Sequence, residues 1–172
     1  MEIITDKPNS EIWNHLLFIS NKDNCKRLLN GSLKSNRSKI YSDDQLCDLK
    51  ASQISFCIKQ AFELFSTSEL TSIITSALPL YYGVLSLSKA LIIANDENLT
   101  LKDLKYHGLF TRANNPTLKI IKDNSFSPIE KQFAIVNQGV FNYLFQILEN
   151  KSIVKDSYFY LKDLLAVIPE IK

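Results

Sequence analysis

Apolar residues recur at helical spacing along most of the chain. Ile12, Trp13, Leu16, Leu17 and Ile19 share one side of a helix that Ser10 can cap from Glu11 onward. One or two further turns are predicted over Asn24–Leu29, followed by a loop over Gly31–Ser42. Asp43 or Asp44 then opens a long helix to about Phe65, with Leu46, Leu49, Ile54, Cys57, Ile58, Ala61, Phe62 and Phe65 as its periodic face. Ser66 with Glu69 has the spacing of a capping box, so a new helix is expected there. Pro79 lies within that apolar run and is expected to kink or split it, with Tyr81–Ala94 as the second half. Asn95–Asn98 is a polar stop.

The pattern changes after that stop. Thr100 and Asp103 form a second cap pattern, predicting a short helix that Gly108 ends in the left-handed conformation. Asn114-Asn115-Pro116 is a turn signal. Leu118, Ile120 and Ile121 are rich in β-branched residues, as is the run Phe133, Ile135 and Val136. The two runs are expected to pair as a hairpin across Asp123–Pro128. A helix is predicted over Val140–Glu149, with Phe141, Leu144, Phe145 and Leu148 on one face. Asp156 or Ser157 is expected to open a last helix ending near Ile168-Pro169. The predicted class is mainly α: a helical bundle with a long Pro-interrupted central helix and a small β-hairpin insert, forming a single domain over residues 1–172.

Composition fits this class. Hydrophobic residues make up 45% and charged residues 22% of 172 residues, with only four Gly and five Pro, which disfavours a many-turned β fold. The formal net charge of +2 does not by itself imply nucleic acid. Seventeen of the twenty basic residues are Lys, whereas forked contacts to phosphate and bases favour Arg. Leu70–Asn95 carries one charge, Lys89, and is long enough to cross a bilayer. Its many hydroxyl groups, Pro79 and the central Lys fit a buried core helix better, so no membrane association is expected. The N-terminal MEIITDKPNS lacks the apolar stretch of a secretory leader. Cys25, Cys47 and Cys57 show no CxxC spacing and read as buried thiols of a cytoplasmic protein.

Few residues carry candidate chemistry. Tyr82, Ser86, Lys89 and Ile93 form one stripe of the central helix, beside a small-residue stripe of Gly83, Ser86 and Ala90 that would let another backbone approach. A buried Lys89 must find an acceptor or lose its proton, so Tyr82, Ser86, Lys89 and His107 are candidate ligand-binding residues. The alternative is a lysine that reaches solvent or pairs with a helix C-terminus, and a His107 that only serves a helix end. Lys22 to Lys39 holds Lys26, Arg27, Lys34, Arg37 and Lys39, a candidate nucleic-acid patch that also reads as a solvated loop. Two histidines without HxH or HExxH spacing predict no metal site. The absence of P-loop, GxGxxG and GxSxG patterns predicts no cofactor.

Four segments occur in a recognisable order: "PLYYGVLSLSKALII" (Pro79–Ile93), "YHGLF" (Tyr106–Phe110), "NQGVFNYLFQIL" (Asn137–Leu148) and "LKDLLAVIPEI" (Leu161–Ile171). Together they resemble the YaaC-like family of bacterial proteins, and the tryptophan segment Ile12–Ser20 also fits. The resemblance implies a helical fold and brings no catalytic residue with it. Relatives of this kind continue past the "IPEI" position, which implies a short variant or a partner polypeptide supplying the rest. More distantly, "YYGVLSLSKALI" resembles a helix of HEPN domains, helical modules common in toxin and antiphage systems. Their ribonucleases use an Arg-x4–6-His motif. Here Lys102 stands at that spacing from His107, which leaves Lys89, Lys102 and His107 as the catalytic candidates of such an enzyme. The expectation is therefore a non-catalytic helical interaction module of a multi-component bacterial defence or stress system, binding another subunit or itself. The alternatives are an HEPN-like ribonuclease and a nucleic-acid-binding module.

Overall fold

The computed structural model describes residues 7–31, 44–110, 133–160 and 163. The chain divides into two compact units, Met1–Leu104 and Lys105–Lys172. The first is helical, with α1 over Pro8–Ile19, α2 over Lys22–Gly31, α3 over Asp44–Glu69 and α4 over Ile73–Asn95. The second contains strands β1 (Leu109–Phe110), β2 (Phe133–Val136) and β3 (Tyr158–Tyr160), and helix α5 (Val140–Glu149). The class is mainly α with a small β element, as the pattern predicts.

α3 and α4 form an antiparallel hairpin that builds the core of the first unit. Ala51, Ile54, Cys57, Ile58 and Ala61 of α3 are buried, as are Gly83, Ser86, Ala90 and Ile93 of α4. The small-residue stripe does what its spacing suggests. A Cβ on Gly83 would lie 2.9 Å from the Phe65 ring, so any larger residue would force that ring to shift. One turn further on, the Ser86 hydroxyl donates to Gln60 Oε1 at 2.8 Å. Trp13 of α1 packs on α3 toward the turn end of the hairpin, its ring 5.3 Å from Phe62 and 5.5 Å from Phe65.

Several boundaries differ from the sequence expectation, each for a local reason. α1 begins at Pro8, three residues before Glu11, because proline is well suited to the first helical position. α2 is opened by Asn21, whose Oδ1 accepts from the Asp23 and Asn24 amides. The expected break at Ser66 does not occur. The hydroxyls of Thr67 and Ser68 bond back to the Glu63 and Phe65 carbonyls, within the same helix, and α3 continues to Glu69. α4 then starts at Ile73 and runs through Pro79 as one helix to Asn95.

After α4, Asp96 Oδ1 accepts from the Asn98 and Leu99 amides, and Asp103 Oδ2 accepts from the Thr100 amide and hydroxyl. The Thr100–Asp103 cap pattern is therefore real, but it closes a single turn and no helix follows. Leu104, at the end of that turn, is fully buried.

In the second unit the sheet order is β1-β2-β3, both pairs antiparallel. Leu109 lies opposite Val136, and Phe133, Ala134 and Ile135 lie opposite Tyr160, Phe159 and Tyr158. β2 is thus the central strand, flanked by segments the pattern did not assign to strands. The Leu118–Ile121 run expected to pair with it lies outside the described residues. The last helix does not begin at Asp156 or Ser157. Asp156 has φ +66°, Ser157 accepts from the Val136 amide, and three aromatic residues extend along β2 as β3, a conformation they favour. Residues 161, 162 and 164–172, which carry most of that expected helix, lie outside the described residues.

Candidate functional site

Three clusters hold most of the candidate residues. The first is the meeting of "YHGLF" and "NQGVF" within the second unit. Helix α5 begins directly after Gly139, so its first amides have no partner within the helix. The preceding segment supplies them. Val140 N–H donates to the Tyr106 carbonyl at 2.9 Å and Phe141 N–H to the His107 carbonyl at 3.0 Å, while Asn137 N–H donates to the Gly108 carbonyl at 2.8 Å. The approach is so close that a Cβ on Gly139 would sit 2.5 Å from Gly108 N and Tyr106 O. Gly108 itself has φ +89°. The two glycines make a backbone clasp, and the N-terminus of α5 is filled by protein carbonyls, not left open to an anion. His107 contributes its main-chain carbonyl to this clasp. The expectation that Gly108 ends a short helix is corrected: its positive φ lets the chain fold against α5.

The second cluster is where the first unit buries charge. Lys50 of α3 is fully buried, and its ammonium donates to the Ile93 carbonyl at 3.3 Å and to the Asp96 carbonyl at 2.5 Å. It therefore satisfies carbonyls at the C-terminus of α4, where the helix dipole favours a cation. Burial pushes its pKa down, and the nearby Asp96 and Glu97 oppose that shift. Sequence reasoning placed this role at Lys89 and overlooked Lys50. The signal was present, because Lys50 lies four residues from both Leu46 and Ile54, on the apolar face.

Lys89 itself is half-buried and sits close enough to Cys57 to oppose the rise of its thiol pKa, which burial pushes up to about 11. Ser86 is buried and engaged with Gln60, whereas Tyr82 is 42% exposed and stacks edge-on with Tyr81. Along the Tyr82–Ser86–Lys89 stripe the middle residue is therefore buried, and its neighbours are exposed and half-buried. Lys89 and Lys102 belong to the first unit and His107 to the second, so no single compact unit contains all three. Cys25 is likewise pushed up to about 11 by burial and the neighbouring Cys47.

The third cluster is the described part of the basic stretch. Lys26 donates to Asp48 at 2.8 Å and lies 3.6 Å from Asp44, and Lys22 is bound to the other oxygen of Asp48. Lys22 and then Lys26 hold the Asp48 carboxyl below its ordinary pKa. These lysines tether α2 to α3 and are partly neutralised. Arg27 is exposed, and Lys34, Arg37 and Lys39 lie outside the described residues. Among the described residues, no group of three or more His, Cys, Asp or Glu side chains is placed to hold a metal ion.

The glycine-bearing motifs lock one unit through main-chain hydrogen bonds, and the small-residue stripe packs the other. The chain belongs to the YaaC-like family, whose model, described as YaaC-like protein, matches residues 17–172. That match covers all four ordered segments, from the Pro79 helix to the "IPEI" segment. No curated protein and no solved structure matches the chain.

Proposed function

We propose that this chain is a non-catalytic helical protein-interaction module, working with another polypeptide chain in a bacterial defence or stress system. One observation carries the interaction role. Helix α4 buries its α3-facing side, yet along its other side Ile73 is 88% exposed, Leu80 39%, Val84 53% and Leu91 38%. Isolated exposed apolar residues are normal, but a contiguous face of them marks a contact surface. The defence or stress setting rests on the distant resemblance of the α4 sequence to helical modules of such systems. Three free, buried cysteines suit a reducing cytoplasm.

The same face requires that α4 be weighed as a membrane segment. It is the helix, among those described, that is long and apolar enough to cross a bilayer. The Gly83–Ser86–Ala90 stripe is buried against α3 and the Lys50 ammonium binds carbonyls at the helix C-terminus, which supports a helix seated on its own core over one that spans a bilayer.

The test is a photoreactive amino acid placed at Ile74 in the native host, with Lys102, an exposed polar position, as control. The expected result is a covalent adduct with a polypeptide from Ile74 and none from Lys102. Adducts with lipid or nucleic acid, or no adduct at all, would overturn the proposal.

A further inference from the structure

Within that interaction role, we infer that the occupant of the exposed α4 face is a second copy of this chain, packed antiparallel as a helix pair. Ile73, Ala77, Leu80, Val84, Leu87 and Leu91 follow one another at spacings of four, three, four, three and four. This is the heptad rhythm that seats one helix against another, and nothing in lipid binding demands it. All six are exposed except Leu87, which is half-buried.

Direction and register follow from the same residues. With the two-fold axis level with Tyr82, Leu80 faces Val84 of the second copy, Ala77 faces Leu87, and Ile73 faces Leu91. Every seam residue then meets an apolar one, and small Ala77 is matched to large Leu87. Such a contact is self-complementary, as a two-fold interface must be. The seam and its flanking positions Ile74, Ser76, Tyr81, Gly83, Ser88 and Ala90 carry no charge, so no like charges meet along it. Lys89, the one charge of the helix, lies on the opposite side, near Cys57.

Charge also separates this occupant from a lipid surface. The residues bounding α4 are Glu69 at one end and Asp96 and Glu97 at the other, whereas helices that lie on anionic membranes are flanked by Lys and Arg. From Ile73 to Leu91 the seam is about 27 Å long at about 1.5 Å per residue, five turns of apolar positions.

The experiment is sedimentation equilibrium of the full chain as wild type, Leu80→Glu, Val84→Lys and an equimolar mixture of the two variants. Circular dichroism confirms that each variant is folded. Wild type is expected to dimerise, and each variant alone to weaken the dimer on the order of 100-fold by burying an unpaired charge. The mixture is expected to recover it, because the carboxylate introduced on one chain then faces the ammonium introduced on the other across the axis. Added salt is expected to leave the wild-type dimer intact or tighter, since its flanking charges are all acidic. A folded wild-type monomer, or variants that stay monomeric when mixed, overturns the inference. If Ile74 still cross-links to a different polypeptide, the interaction role survives and only self-pairing falls.

Discussion

Replacing Gly139 with alanine tests whether the two glycine motifs act as a backbone clasp. The added Cβ would lie 2.5 Å from both Gly108 N and Tyr106 O, and 2.7 Å from Gly108 Cα. These are main-chain atoms and cannot swing aside as a side-chain tip could. The substituted residue would also have to hold φ +156° with ψ −165°, a region that essentially only glycine occupies. Holding it there costs about 1–3 kcal/mol. Escaping the clash instead forfeits the hydrogen bonds from Asn137, Val140 and Phe141, each contributing about 1 kcal/mol. By either route or a mixture, the expected loss is roughly 3–4 kcal/mol, confined to the second unit. Peptide-resolved hydrogen exchange measures it as a lowered opening free energy of the first α5 amides. Gly31→Ala is the control, since a Cβ there meets nothing within 4 Å. Its effect should stay within about 0.5 kcal/mol. A Gly139→Ala protein that is folded and loses less than about 1 kcal/mol at α5 would refute the clasp.

Other expectations follow from the first unit. Gly83→Val should destabilise it by about 1–3 kcal/mol in urea unfolding, by driving side-chain atoms into the Phe65 ring. Phe65→Leu combined with it should recover part of that loss, a coupling that a double-mutant cycle reads directly. Asp48 has a lowered pKa in the folded protein, so its contribution is complete above the ordinary value of 3.8 and is lost as pH falls through the lowered value. Asp48→Asn should therefore flatten that acid limb of the stability profile. The three thiols should react slowly with a thiol reagent at neutral pH in the native protein and fast on unfolding, because all are buried and Cys25 and Cys57 are raised to about 11. RNA incubated with wild type and His107→Ala should be cut by neither, and cleavage that depends on His107 would contradict a non-catalytic role.

The helices were legible because their apolar residues repeat at a fixed period and few alternatives satisfy it. α5 appears at its expected bounds, and α3 opens at one of the two aspartates proposed for it. The Gly83–Ser86–Ala90 stripe was legible as a close approach for the same reason. What escaped was decided by distant partners. Asp156 and Ser157 look like a helix cap until the strand Phe133–Val136 is present to pair with Tyr158–Tyr160. Gly108 looks like a helix end until the amides of α5 need its neighbours' carbonyls. The buried lysine was sought on α4, where it is the one charge in an apolar run. Among the described residues the fully buried lysine is Lys50, whose position at the far end of the hairpin brings it to the carbonyls of Ile93 and Asp96. Spacing alone names the face a residue occupies, and the partner across that face decides its role.

The central claim is that α4 serves two contacts, its own core on one side and a second copy of this chain on the other. Light scattering on the purified full chain at tens of micromolar tests it most directly. The account predicts twice the 19.6 kDa chain mass for wild type and a single chain mass for folded Val84→Lys. A single chain mass for both would contradict it.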